Sequence, residues 1–204
     1  MRRIPLSRRS HVTGFQPLST GTAEHESALE RDFVTLSSFL DAGVSITSQP
    51  VTITFRDGTQ SRRYTPDFLV RWSERRAELI EVKYRADLCT NWDRLRPGFV
   101  AARAWAHERE ATFRIATERS IRGPLLENAK RLLPLRSAPL EPEIADQVLL
   151  AVRSIHAPTF GGVLVAVPEN RPAVLATLWR LIAQRTLQVD LTAPVTLATQ
   201  ISAP

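Results

Sequence analysis

A chain of 204 residues, 43% apolar and 24% charged, holds enough material for one domain of about 130–150 residues with a smaller one attached. No apolar run reaches the roughly 18–20 residues that cross a bilayer, no apolar stretch follows the basic start MRRIPLSRRS, and the single cysteine, Cys89, excludes an internal disulfide. A soluble protein of a reducing compartment, the cytoplasm, is therefore expected, with no membrane partner. The net charge of +6 comes almost wholly from arginine, since Lys83 and Lys130 are the only lysines. Guanidinium forks match phosphate oxygens, so the charge fits a nucleic-acid partner. It fits equally an arginine-rich composition set by a GC-rich genome.

Residues 1–22 are basic and lack sustained periodicity, which predicts an arm that is partly disordered when free. Its pairs Arg2-Arg3 and Arg8-Arg9 suit phosphates or a solvated tail. From 24 to 40 the pattern is helical: Leu29, Phe33, Leu36 and Leu40 recur at three- and four-residue steps. Thr22 is the expected N-cap, and Asp41-Ala42-Gly43 the expected end. Three extended runs follow at 51–55, 67–72 and 77–84, separated by the Asp57-Gly58 turn and the polar stretch 73–76, and predict an antiparallel meander.

Helical character returns after Asp87 to about Glu110, with Pro97-Gly98 as an interruption or true start. A strand over 111–116 and a helix over 124–133 complete an order α-β-β-β-α-β-α around a mixed sheet. The composition then shifts at LRSAPLEPEI, where Pro139 and Pro142 mark a linker. Domains are thus expected at 23–137 and 138–204. The second carries helical patterns over 143–155, 159–167 and 171–185 and an alternating tail, TLQVDLTAPVTLATQIS, that reads as a hairpin. Three helices and a hairpin suggest a winged helix.

The chemistry lies in YTPDFLV and LIEVKY. Pro66 holds Thr65 extended at a strand entrance, and Asp67 then leads an apolar run. A buried aspartate costs several kcal/mol unless paired or bound to metal; the same residue would cap a turn at the surface at no cost. Glu81 and Lys83 share one strand face, while Ile80, Val82 and Tyr84 share the other. Strand, tight turn and strand bring Asp67 near Glu81, and two carboxylates so close repel unless a cation lies between them. Hard divalent ions suit such oxygen ligands, and magnesium is the usual choice for phosphate chemistry. Lys83 can orient a water or stabilise the charged phosphorane. On the first helix Glu30 can reach over the sheet edge, with Glu26 four residues earlier on the same face. Spacing alone is met as well by two solvated glutamates.

Other features carry less. His11, His25, His107 and His156 stand at no metal-ligand spacing with one another or with Cys89, so zinc is not expected. TFGG at 159–162 lacks the lysine of a phosphate loop. Trp92, Trp105 and Trp179 sit in helical patterns and are expected in the core.

In this order, PDF followed by EVK within a helix–meander–helix resembles the PD-(D/E)xK nuclease superfamily, whose restriction-endonuclease-like fold is an α/β mixed sheet flanked by helices. More narrowly, ESALERDFVTLSSFL, SQPVTI, YTPDFLV, LIEVKYRADL and TFRIATERSI together resemble TnsA, the endonuclease subunit of heteromeric transposases, over roughly residues 24–135. The resemblance implies that Glu30 is the helix glutamate of a metal site, with Glu26 as its alternative, and Asp67 the central metal-binding aspartate. It implies that Glu81 is the second carboxylate, the Val82 carbonyl also faces the metal, and Lys83 is the catalytic lysine. Gln49 matches a recurrent QP element, structural or DNA-facing. The implied cofactor is Mg²⁺, replaceable by Mn²⁺. The implied reaction is hydrolysis of the 5′ strand at double-stranded transposon ends, beside a DDE-type transposase, TnsB, that handles the 3′ strand. The winged-helix-like region would contact DNA and the AAA+ regulator TnsC. Two alternatives remain: a stand-alone restriction or repair nuclease of the same fold, and an inactive adaptor bound to DNA ends.

Overall fold

The computed structural model describes residues 13–204 and divides after Arg122. The basic pairs at 2–3 and 8–9, and so most of the expected arm, lie outside the described residues. The rest of that segment is ordered: β1 (Gly14–Leu18) and β2 (Gly21–His25) form an antiparallel hairpin, so the arm expected through residue 22 is corrected. Gly21, at φ 142°, turns the chain where a side chain would strain it. Ser48 Oγ accepts from Glu24 N–H at 2.9 Å and donates to the Glu24 carbonyl at 2.7 Å. Helix α1 (Ala28–Leu40) starts later than expected because Ser27, not Thr22, is its N-cap, accepting from Glu30 N–H. It ends at Asp41, whose carboxylate accepts from Gly43 N–H and from both the backbone and hydroxyl of Ser73.

The central sheet has four strands in the order β3 (Ser45–Ser48), β6 (Phe68–Arg71), β7 (Glu78–Val82), β8 (Thr112–Ala116). The first two junctions are antiparallel and the last parallel, so the sheet is mixed. A parallel junction needs a long crossover, supplied by α2 (Arg85–His107). The expected meander is therefore partly wrong. The antiparallel neighbour of β6 is β3, while β4 (Ile53–Asp57) pairs with β5 (Gln60–Tyr64) in a separate two-stranded ribbon. Strand β5 escaped sequence reading because QSRRY shows no apolar alternation. The Gly58 turn, at φ 59°, closes that ribbon.

Each face of the sheet has its own cover. On one, Phe68 stacks on Phe33 of α1 with ring centroids 5.6 Å apart and planes 18° from parallel. On the other, Leu79 packs with Ile53, Ala102, Ala106 and Ala111, joined by Tyr64, Leu69 and Phe113. Coverage on both sides is why β7 is buried from Leu79 through Val82, Glu81 included. Phe68 is 1% exposed, so Phe68→Ala should cost about 3–5 kcal/mol, read as a lower denaturant midpoint with an unchanged m-value.

Helix α2 departs from helical geometry at Asn91, not at Pro97. Asn91 Nδ2 donates to the Asp87 carbonyl at 3.1 Å and replaces part of the lost ladder. The kink leaves Trp92 46% exposed, against the expectation that it belongs to the core. The short α3 (Glu118–Ile121) supplies Glu118, which accepts from Arg85 N–H at 3.0 Å at the start of α2. Arg122 closes this unit with a 2.9 Å bond to the buried Asp32.

The second unit begins with α4 (Pro124–Leu132), earlier than the linker expected from the prolines. Its Leu126, Ala129 and Leu132 are buried, and Asn128 Nδ2 donates to the carbonyls of Leu191 and Ala193 at 2.9 and 3.0 Å. These contacts bind α4 to the later chain, which is why the division precedes it. Helices α5 (Pro142–Ser154), α6 (Phe160–Ala166) and α7 (Arg171–Ala183) follow the expected patterns. The expected terminal hairpin does not form. Residues 186–202 make only isolated bridges, Gln188 with Ser202 and Thr159 with Gln200. Asp190 folds onto Thr192 in a local turn and Pro194 has no donor, so a ladder cannot propagate; Leu187 and Ile201 anchor the ends by burial. Among the described residues no helix is long and apolar enough to cross a membrane.

Candidate active site

Extending the β6–β7 register, in which Phe68 faces Ile80, by one residue sets Asp67 opposite Glu81 at the end of the hairpin. Asp67 Oδ2 accepts from Val82 N–H at 2.7 Å, which locks the carboxyl against β7. Glu81 is 3% exposed. Its Oε1 lies 3.0 Å from Lys83 Nζ and its Oε2 accepts from the Tyr64 hydroxyl at 2.6 Å. The parallel junction holds Lys83 in place, since its N–H donates to the Ala116 carbonyl at 3.0 Å. Sequence reading missed Tyr64. Its signal was an aromatic residue closing an otherwise polar strand, three residues before Asp67. Gly98 lets the Tyr64 ring lie against α2, because a Cβ there would meet the ring at 3.0 Å. Tyr64→Phe leaves a buried carboxylate oxygen without its donor, an expected loss of about 1–3 kcal/mol measurable by urea unfolding.

Glu30 approaches from the first turn of α1, partly buried. It accepts from Glu26 N–H and from Ser27 Oγ, both at 2.8 Å, in a capping arrangement. Glu26 is exposed and its Oε1 accepts from Gln49 Nε2 at 2.8 Å. Gln49 N–H also donates to the Asp67 carbonyl at 2.8 Å, so Gln49 ties the helix start to the strand that carries Asp67. It does so at φ 45°, a left-handed conformation that non-glycine residues seldom adopt.

The charges in this pocket do not cancel. Burial, and then the charges of Glu81 and Glu30, push the Asp67 carboxyl well above the usual aspartate range, against the Val82 N–H and Lys83. Burial also raises Glu30, with the Glu26 N–H and Ser27 bonds opposing it. For Lys83, burial disfavours the ammonium, but the carboxylates of Glu81, Asp67 and Glu30 outweigh it and hold the amine charged. Burial, then Glu81, keeps the Tyr64 phenol protonated as a donor. Three carboxyls against one ammonium form a donor set that suits a hard divalent ion. In their present rotamers, however, no three His, Cys, Asp or Glu side chains among the described residues are arranged to hold a metal ion. Glu30 caps its own helix, and Glu81 is held by Tyr64 and Lys83.

A mixed sheet covered by helices on both faces, with aspartate, glutamate and lysine gathered at one end of its central hairpin, is a nuclease-like α/β arrangement. Residues 42–118 match the family TnsA-like endonuclease N terminal, which supports the resemblance to TnsA and a nuclease of the transposase type acting on DNA. The matched span holds Gln49, Asp67, Glu81, Val82 and Lys83 and leaves out Glu26 and Glu30. No curated protein matches the chain.

Proposed function

We propose that this chain is the metal-dependent endonuclease subunit of a heteromeric transposase and hydrolyses the 5′, non-transferred strand at transposon ends in the cytoplasm. The observation that carries the reading is the joining of Asp67, Glu81 and Lys83 at one strand end within a segment that matches TnsA-like endonucleases. Asp67, Glu81, Glu30 and the Val82 carbonyl would hold Mg²⁺, or Mn²⁺ in its place, with Glu30 released from Ser27. A bound divalent ion supplies neutralisation of phosphate charge and a more acidic water. Lys83, held charged by its carboxylate neighbours, stabilises the negative charge that develops on the phosphate and takes no proton from water. Tyr64 orients Glu81, and Gln49 steadies the Asp67 backbone.

The partners in this reading are double-stranded transposon ends, a DDE-type transposase (TnsB) that processes the opposite strand, and an AAA+ regulator (TnsC) received by the second unit. The test is nicking of transposon-end DNA with Mg²⁺ or Mn²⁺ in the presence of the partner transposase. Unchanged cleavage by both Asp67→Ala and Lys83→Ala would overturn it.

One observation favours a second reading. Glu30 is fully engaged at its own helix start, as it would be in an inactive adaptor that only binds DNA ends. Calorimetry separates the two: an active site binds Mn²⁺ and loses that binding in Asp67→Asn, and an adaptor shows neither.

A further inference from the structure

The β4–β5 ribbon has two unlike faces. Paired residues of an antiparallel ladder share a face, so Ile53 with Tyr64 and Phe55 with Arg62 lie on one side. That side is the anchored one: Ile53 and Tyr64 join the cluster of Leu79, Ala102 and Ala106. The other side presents Thr54 with Arg63 and Arg56 with Ser61, all exposed. It continues through Thr52 and Thr65, whose hydroxyls lie 3.0 Å apart.

Every side chain in this row can donate a hydrogen bond, and none is a carboxylate. The nearby acid, Asp57, is on the opposite face and is already paired with Arg62 at 3.1 Å. Arg56 and Arg63 make no ion pair or hydrogen bond among the described residues. Arg96 lines the same shallow depression as Phe55 and Arg56, with Asp93 as its acidic member. A rigidly backed strip of two uncompensated guanidinium groups among hydroxyls complements a polyanion.

Position adds to charge. Strand β5 runs through Thr65 and Pro66 directly into Asp67. At about 3.3 Å per residue, Arg63 lies about 13 Å along the chain from Asp67, and the Arg56–Ser61 pair about 20 Å. With about 3.4 Å of axis per nucleotide on one strand, the row covers about four to six nucleotides beside the scissile position.

We propose that the outward face of the β4–β5 ribbon, through Arg56 and Arg63 with Thr54 and Ser61, grips the DNA phosphate backbone next to the cleaved bond and sets the register of the strand in the active site. The proposal rests on the endonuclease reading of that site. Phosphate contacts position a duplex without reading its sequence, so the ribbon contributes alignment and not specificity.

The test is salt-dependent binding of the full chain to two duplexes of unrelated sequence. For the double variant Arg56→Gln, Arg63→Gln, the slope of log K against log salt should become shallower by about 2, with equal loss on both duplexes. The double variant Arg56→Lys, Arg63→Lys should keep the slope. Circular dichroism guards against misfolding, and charge reversal, Arg63→Glu alone, should weaken binding more than Arg63→Gln. An unchanged slope in the glutamine variant overturns the proposal, as does loss of a protein partner while DNA binding stays intact. Asp67→Ala separates this idea from the reading beneath it: it should sharply reduce cleavage and leave the slope unaltered. If Asp67→Ala cleaves as fast as the parent, the active-site reading fails whatever the ribbon variants do.

Discussion

Asp67→Ala is expected to reduce cleavage of transposon-end DNA by about 10³-fold or more. Binding of the divalent ion lowers the barrier by several kcal/mol, at about 1.36 kcal/mol per decade of rate, and Asp67 is the carboxyl fastened to the centre of the pocket by the Val82 N–H. Asp67→Asn should have a second effect, on stability. The folded state holds the Asp67 carboxyl above its unfolded value, so over that interval the folded chain binds the proton more tightly than the unfolded chain. Stability therefore falls as pH rises from the ordinary aspartate range through the raised folded value, and the cost is absent below it. The asparagine variant has no such proton to lose. The stability gap between Asp67→Asn and the parent, without metal, should widen with pH in favour of the variant in calorimetric scans. Added Mn²⁺ should raise the parent's melting temperature, more so at higher pH where the proton no longer competes, and leave Asp67→Asn unmoved. A gap that narrows with pH would refute the picture of mutually repelling carboxyls.

Lys83→Met has the second large expected effect. Glu81 is almost fully buried, and Lys83 Nζ is the cation beside it, at 3.0 Å. Removing one member of a buried ion pair costs about 3–5 kcal/mol, and the 31% exposure of the lysine side chain places this case at or below the lower end. Cleavage should fall by about 10²–10³-fold, the effect of losing one group that stabilises charge in the transition state. Lys83→Arg separates the two roles. It keeps a cation against Glu81 and should recover most of the stability by urea unfolding, while the broader guanidinium cannot repeat the ammonium geometry and cleavage stays low. A variant that regains both would reduce Lys83 to a generic positive charge. Recovery of neither would mean that Glu81 tolerates only the ammonium.

Much of this arrangement was legible before any coordinates. Period-two spacing put Glu81 and Lys83 on one face, and they meet at 3.0 Å. The strand–turn–strand reading brought Asp67 to β7, where it meets the Val82 N–H. The helices over the second unit were legible as well, because three- and four-residue periodicity is a local property. What failed was non-local. Thr22 looked like a cap because it precedes an acidic turn, yet it lies in a strand stabilised against β3 through Ser48. The run at 51–55 alternates like a sheet strand, but its partner, QSRRY, has no apolar signature, so the ribbon was invisible. The tail at 186–202 alternates like a hairpin, yet only Gln188 and Ser202 exchange backbone bonds across it, while Leu197, Thr199 and Ile201 bond to Gly161, Phe160 and Pro158 around the start of α6.

The order of residues alone determined the chemistry available to this protein: two carboxylates and an amine at the ends of adjacent strands, a third acid on a preceding helix, and a surplus of arginine. It did so because strand alternation and helical period are short-range consequences of backbone geometry. Only the tertiary structure decided which partners those groups took. Tyr64 reached Glu81 from the β4–β5 ribbon, Gln49 spanned from Glu26 to the Asp67 backbone, and α4 joined the second unit instead of the first. Each of these depends on which segments far apart in the chain bury their apolar faces together, a choice that no local pattern encodes.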